Sequence, residues 1–273
     1  DLHYPLRRQR QMCIRDRLIY CSVTGFGQDG PRAQKAGYDF MIQGMTGIMD
    51  ITGEPDGMPQ KVGVAFADVF TGLYGVIGIQ AALAQRERTG LGQQVDMALF
   101  DCMLAAQANQ NLNYLTTGES PKRMGNAHPS IVPYQVFPVS DGHIVIACGN
   151  NRQFKNLAQA LGRNDWIENP IFADNMTRIS NRTEVISQIT KELSRFAKSE
   201  VLVLLEVAGV PSGPINTVAE ALEDPQTSHR EMRIEPEGIP GVRTPIKFSA
   251  SNLQLKRAAP GLGEHNESSS LEN

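Results

Sequence analysis

Residues 18–23 form a short, β-prone apolar run that stops at Thr24-Gly25-Phe26-Gly27, the pattern of a buried strand feeding a glycine loop. Asp29-Gly30-Pro31 marks a turn, and apolar residues then recur at helical spacing over 38–49 until Thr52-Gly53-Glu54-Pro55-Asp56-Gly57 closes that helix. The apolar stretch VGVAFA leads to Asp68 and to a helix predicted over 69–88, in which Gly72, Gly75 and Gly78 recur every third residue. Three missing side chains on one stripe let another element pack very close. After Arg88-Thr89-Gly90-Leu91-Gly92-Gln93 the pattern predicts a strand over 94–98 and a helix over 99–115. Strand, helix, strand, helix in that order predicts an α/β domain with a mostly parallel sheet.

Near residue 120 the chain changes character, with Pro121, Gly125, His128-Pro129 and Pro133 forming a loop that predicts a domain edge. Residues 134–138 and 143–148 alternate around Ser140-Asp141-Gly142 as a hairpin does, and helical patterns follow at 153–161, 183–196 and 200–208. A strand-like segment at 210–215, a helix near 219–223 and strands near 233–237 and 244–248 return to αβ alternation. The expected plan is a leader at 1–17, the first part of a large α/β domain at 18–129, a small α+β domain at 130–195, a return segment to the large domain at 196–262 and a polar tail at 263–273.

The leader carries Arg7, Arg8, Arg10, Arg15 and Arg17 with no apolar periodicity, and RQRQMCIRDR resembles a translated sequencing adapter. It reads as foreign to the domain; a basic arm is the alternative. Composition narrows the partners. With 41% hydrophobic residues, 20% charged and a net charge of -3, the profile is that of a soluble globular protein. Lys plus Arg number 26 against 29 acidic residues, so no nucleic-acid partner is expected. The longest greasy stretch, 73–83, is interrupted by Gly75, Gly78 and Gln80 and falls short of the ~20 residues of a membrane helix, so no membrane partner is expected either. Cys13, Cys21, Cys102 and Cys148 show no CxxC pair and no metal-ligand spacing. They read as reduced core residues of a cytoplasmic protein, with a catalytic cysteine as the alternative.

Asp68 sits where the apolar stretch meets the glycine-rich helix, which places its carboxylate at or just before a helix N-terminus, where free N–H groups and the macrodipole favour negative charge. Two readings stand at this point, a plain N-cap and a carboxylate nucleophile. Periodicity does not choose between them.

The tract KAGYDFMIQGMTGIMDITGEPDGMPQKVGVAFADVFTGLYGVIGIQAALAQRERTGLGQQVDMALFD, followed by HPSIVPYQVF, SDGHIVIACGN, VPSGPINT and APGLGEH, resembles the class III CoA-transferases, the family of formyl-CoA and carnitine CoA-transferases, over residues ~18–265. The resemblance implies a Rossmann-like large domain with a smaller α+β domain inserted, and an interlocked homodimer. It implies transfer of coenzyme A from an acyl-CoA thioester to a free carboxylic acid through an aspartyl-CoA thioester on Asp68. The acyl-CoA is a substrate, and no permanently bound cofactor or metal is expected. Tyr38 and Asp39 match family positions near the catalytic aspartate: Tyr38 as a hydrogen-bond donor or a core aromatic, Asp39 as its orienting partner. Gly25 and Gly27 match a loop near the site. His128 reads either as a loop residue over the site or as the cap of a turn. The family's N-terminal segment, with its opening glycine turn and many CoA-binding residues, is absent here, so the fold is expected to be incomplete. A cytoplasmic location is expected, or the mitochondrial matrix in a eukaryote.

Two rivals accompany this reading. The α-methylacyl-CoA racemases share the fold but carry histidine where Ala36-Gly37-Tyr38-Asp39 has Tyr38, and a glycine run where this chain has Val69-Phe70-Thr71-Gly72. A phenol is a poor general base beside an imidazole at neutral pH. The other rival is a non-catalytic CoA-binding remnant.

Overall fold

The computed structural model describes residues 16–253, 256–264 and 266. These form two compact units, one ending at Gln135 and the other beginning at Val136.

In the first unit, strand β1 (Tyr20–Thr24) is followed by helices α1 (Asp39–Met45) and α2 (Ile48–Ile51), the long helix α3 (Phe66–Thr89), strand β2 (Gln94–Ala98) and helices α4 (Leu99–Ala106) and α5 (Asn109–Thr117). β1 and β2 pair in parallel, from Tyr20 opposite Gln94 to Thr24 opposite Ala98. The chain can join two parallel strands end to end only by a crossover, and α3 lies in that connection, packing on β2 and α4. Ile42 from α1, Ala67 from α3, and Leu99 and Met103 from α4 make the core, with Phe26, Ile48, Phe66 and Phe100 against it. Burial of those apolar side chains is what holds α1 over the start of α3.

The helix predicted over 38–49 is broken at Gly47, whose φ of +92° only glycine adopts freely. The helix predicted over 99–115 is broken at Ala108, with φ +41°, where Gln107 Nε2 reaches Thr46 O at 2.7 Å. Of the three stripe glycines, Gly78 packs as expected: a Cβ there would stand 2.9 Å from Val95 Cγ1. Gly72 and Gly75 have no described atom within reach of such a Cβ, and Val69, Leu73, Val76 and Ile77 on α3 are exposed.

The apolar stretch around 73–83 extends further in α3 than its interruptions suggested. The helix is long and apolar enough to cross a membrane on length and composition alone. Residues 69–85 carry no charge, and glycines bend a pattern without making it polar. Its packing on β2 and α4 is equally that of a crossover helix.

The second unit holds a sheet of order β3 (Tyr134–Val139), β4 (Gly142–Ala147), β5 (Ser212–Pro214), with β4 and β5 antiparallel from Ile144 opposite Pro214 to Ile146 opposite Ser212. Helices α6 (Asn151–Ala160), α7 (Asp165–Glu168), α8 (Asn175–Ser180), α9 (Arg182–Leu193) and α10 (Lys198–Val207) belong to the same unit, and α10 lies on β4 and β5. Phe154, Trp166 and Phe172 stack on one another in its core. Two short helices, α11 (Val218–Glu223) and α12 (Pro225–His229), precede a two-residue pairing of β6 (Arg233–Ile234) with β7 (Gly241–Val242). The strand expected near 244–248 is not formed, and the pairing falls a few residues earlier.

Candidate functional site

Asp68 lies inside the helix rather than before it, because α3 begins at Phe66. It is the third helical residue, exposed, in the turn whose N–H groups have no intrahelical acceptor. The residue at the cap position is Ala65, which has no side chain to offer. Capping comes instead from another element: Asp39 Oδ1 accepts from the Ala67 N–H at 2.9 Å. Asp68 is therefore not the cap, and among the described residues no hydrogen bond or ion pair engages its carboxylate. The helix dipole is left to act on a carboxylate open to solvent.

Asp39 opens α1, and Gln43 follows it by one turn on the same face, fully buried. Gln43 Nε2 donates to Asp39 Oδ2 at 2.8 Å and to Val64 O at 3.3 Å, while its Oε1 accepts from Val62 N at 2.9 Å. The approach to α3 and its first turn are thus tied to α1 at three points, Val62, Val64 and Ala67. Tyr38 stands at the cap position of α1, where its carbonyl accepts from Ile42 N, and the residue is 71% exposed. That exposure rules out the core-aromatic reading and leaves the phenol facing solvent, next in sequence to the aspartate that caps α3.

The glycine loop after β1 is pressed against the same place. A Cβ on Gly25 would stand 2.6 Å from Gly37 Cα, and one on Gly37 would stand 2.5 Å from Gly25 Cα, so two backbones touch where no side chain fits. Gly27 has φ +87°, and its N–H donates to Thr24 Oγ1 at 2.9 Å, which closes the turn. Contacts and chain neighbours in this way link Gly25, Gly37, Tyr38, Asp39, Gln43 and Ala67, and Asp68 is the residue after Ala67. His128 has a different setting. Its Nδ1 accepts from Ser130 N at 3.0 Å, its own N–H donates to Tyr134 O, and its ring lies 5.1 Å from that of Tyr134. The loop around it is anchored by Gly125 N on Gly53 O and by Arg123 on Asp50. These bonds are those of a turn cap.

Burial pushes the Cys148 thiol up to about 12, and burial likewise raises that of Cys102 against a hydrogen bond with Thr71. Neither supplies a thiolate near neutral pH. Cys13 lies outside the described residues. Among the described residues no group of three His, Cys, Asp or Glu side chains is placed to hold a metal.

Sequence reasoning singled out Gly25, Tyr38, Asp39 and Asp68 as candidates here and missed Gly37 and Gln43. The available signal was a polar side chain on the apolar stripe of a helix, four residues after an aspartate.

A parallel strand pair crossed by a glycine-rich helix, with an exposed aspartate in the helix's first turn, is an α/β arrangement. Comparison with known proteins is specific. The model of CoA-transferase family III matches residues 5–266, and the chain belongs to that family. It is 48% identical over 267 residues to the succinate–glutarate CoA-transferase of Agrobacterium fabrum, covering 96% of this chain and 67% of that protein. Against the human succinyl-CoA:glutarate CoA-transferase the identity is 38%, with 92% of this chain and 59% of that protein covered. The crystal structure of a CAIB/BAIF family protein from Brucella suis superposes with a TM-score of 0.84 at 54% identity, over 95% of this chain and 69% of that one. The chain therefore spans about three fifths to two thirds of the length of these relatives.

Proposed function

We propose that this chain carries the catalytic aspartate of an enzyme that moves coenzyme A from an acyl-CoA thioester to a free carboxylic acid, with Asp68 as the covalent carrier. The observation that carries the reading is that Asp68 is spared the structural task its position suggests, because Asp39 caps α3 from α1 and the Asp68 carboxylate remains open. The names of the Agrobacterium and human relatives support short dicarboxylic acids, of the succinate and glutarate type, as the acids exchanged.

In the proposed cycle the Asp68 carboxylate attacks the thioester carbonyl, and collapse of the tetrahedral adduct expels the CoA thiolate and leaves a mixed anhydride. The thiolate then attacks the aspartyl carbonyl, which releases the donor acid and forms the aspartyl-CoA thioester. An acceptor carboxylate attacks that thioester, the thiolate departs and returns to the acceptor's carbonyl, and Asp68 is regenerated. Bonds formed and broken are of similar energy, so no oxidant and no net proton is required. What the protein must supply is orientation and exclusion of water, together with donors for each oxyanion. In the first turn of α3 the Phe66 N–H is taken by Val64 O and the Ala67 N–H by Asp39, which leaves the N–H of Asp68 itself as the nearest candidate donor. Gly27 is a weaker candidate donor, since its N–H is engaged by Thr24.

The test is to incubate the protein with succinyl-CoA and hydroxylamine and to map the adduct by mass spectrometry. A hydroxamate on Asp68 is expected, and Asp68→Asn should lower transfer by at least about a thousandfold, as loss of a covalent nucleophile does. Transfer at the wild-type rate by Asp68→Ala would end the reading.

A further inference from the structure

The geometry points to Gln43 as a positioning residue for the Asp68 carboxylate, an inference that rests on Asp68 being the acyl carrier. Gln43 is fully buried, next in sequence to Ile42, which packs with Ala67, Leu99 and Met103. A buried carboxamide is tolerated only when its donors and acceptor are satisfied. Here the environment also fixes which way it faces. The Asp39 carboxylate and the Val64 carbonyl accept, whereas the Val62 N–H donates. A flipped amide would set oxygen against oxygen on one side and N–H against N–H on the other.

The arrangement has a directional consequence. With Oδ2 of Asp39 held by Gln43, Oδ1 is presented to the Ala67 N–H, one residue before Asp68. Gln43 thereby grips the approach to α3 directly at Val62 and Val64, and indirectly at Ala67. The cap position itself has φ -71° and ψ 68° and offers no side-chain bond, so α3 has no cap of its own to fix its first turn. The direction in which the Asp68 side chain leaves the backbone is set from α1. Glutamate at 43 would keep the acceptor for Val62 and lose the donor to Asp39. Leucine would keep the volume and lose both.

The experiment compares Gln43→Leu and Gln43→Glu with wild type in two readouts on the 273-residue chain: residue-resolved amide hydrogen exchange, and the rate of Asp68 trapping by hydroxylamine with succinyl-CoA. In Gln43→Leu the amides of Val62 and Ala67 should both lose protection at least tenfold, with the amides of 80–89 unchanged. In Gln43→Glu the Val62 amide should stay protected while that of Ala67 does not. Trapping should slow at least tenfold in both, with the succinyl-CoA concentration for half-maximal rate moving less than twofold, since positioning acts on the chemical step. Wild-type protection at Ala67 in both variants, or uniform loss of protection throughout both, overturns the inference. If the wild-type chain forms no Asp68 adduct, the transfer reading falls and the exchange pattern alone decides the role of Gln43.

Discussion

An aspartate in the first turn of a helix usually earns its place through stability, and Asp68 is arranged so that it contributes little. It is exposed, and its only described electrostatic advantage is the N-terminal end of α3. That advantage is worth about 0.3–1 kcal/mol at an exposed site. Asp68→Ala is therefore expected to fold and to melt within a few degrees of wild type, so that any loss of transfer reports chemistry. Asp39 is the contrasting case. Its two oxygens satisfy the Ala67 N–H and the buried Gln43 amide, and leaving such donors unpaired costs about 1–3 kcal/mol. Asp39→Ala should lower the melting temperature clearly more than Asp68→Ala, and thermal denaturation of the pair checks the ordering. A result in which Asp68→Ala is the less stable variant would return Asp68 to a structural role. Asp68, Tyr38 and Asp39 stood out in the sequence as candidates through family resemblance. Their division of labour was not, because it depends on α3 starting at Phe66 and on a bond between residues 28 positions apart.

Among the elements, those fixed by local pattern were readable: β1, α3, β2, the hairpin of β3 and β4, and helices α6, α9 and α10 all fall within a few residues of their predicted spans. The departures lie where distant contacts decide. Nothing in AAQANQN announces a break, yet the chain turns at Ala108 because Gln107 is pulled to Thr46 O. Ala108 then occupies φ +41°, ψ -106°, a region that suits glycine. Ala108→Gly should stabilise the first unit, by an amount on the order of 1 kcal/mol. A chemical denaturation midpoint measured by circular dichroism tests this, and a lower midpoint would mean that the turn is not strained. The strand expected near 244–248 failed for the opposite reason: β-propensity there has no described partner strand, and propensity without pairing is weak.

At the scale of the whole molecule, the second unit has its own acid sensitivity. Burial would raise the Glu192 carboxyl, but hydrogen bonds from Arg195 and Arg163, at 2.7 and 2.8 Å, and the charges of both outweigh it and hold the group below its usual range. A carboxyl lowered by folding stabilises the protein fully above its unfolded value, near 4.3, and that contribution is lost as pH falls through the folded value. Stability of the second unit should accordingly drop as pH falls below ~4.5, and Glu192→Gln should flatten the dependence while lowering stability at pH 7. The single tryptophan makes this measurable, since Trp166 is fully buried there with its Nε1 donating to Gln188 at 3.0 Å. An unchanged pH slope in Glu192→Gln would show that the ion pairs with Arg163 and Arg195 are bystanders.

The contact between Gly25 and Gly37 has a consequence for how the sequence can change. Because each Cβ would strike the other residue's Cα, enlarging one glycine leaves the other no less crowded, and no compensating substitution exists at the partner position. In a saturation library the two positions should behave as a locked pair: every replacement at either depleted, double replacements no fitter than singles, and tolerance regained only by variants that lengthen the loop between them and let the backbones part.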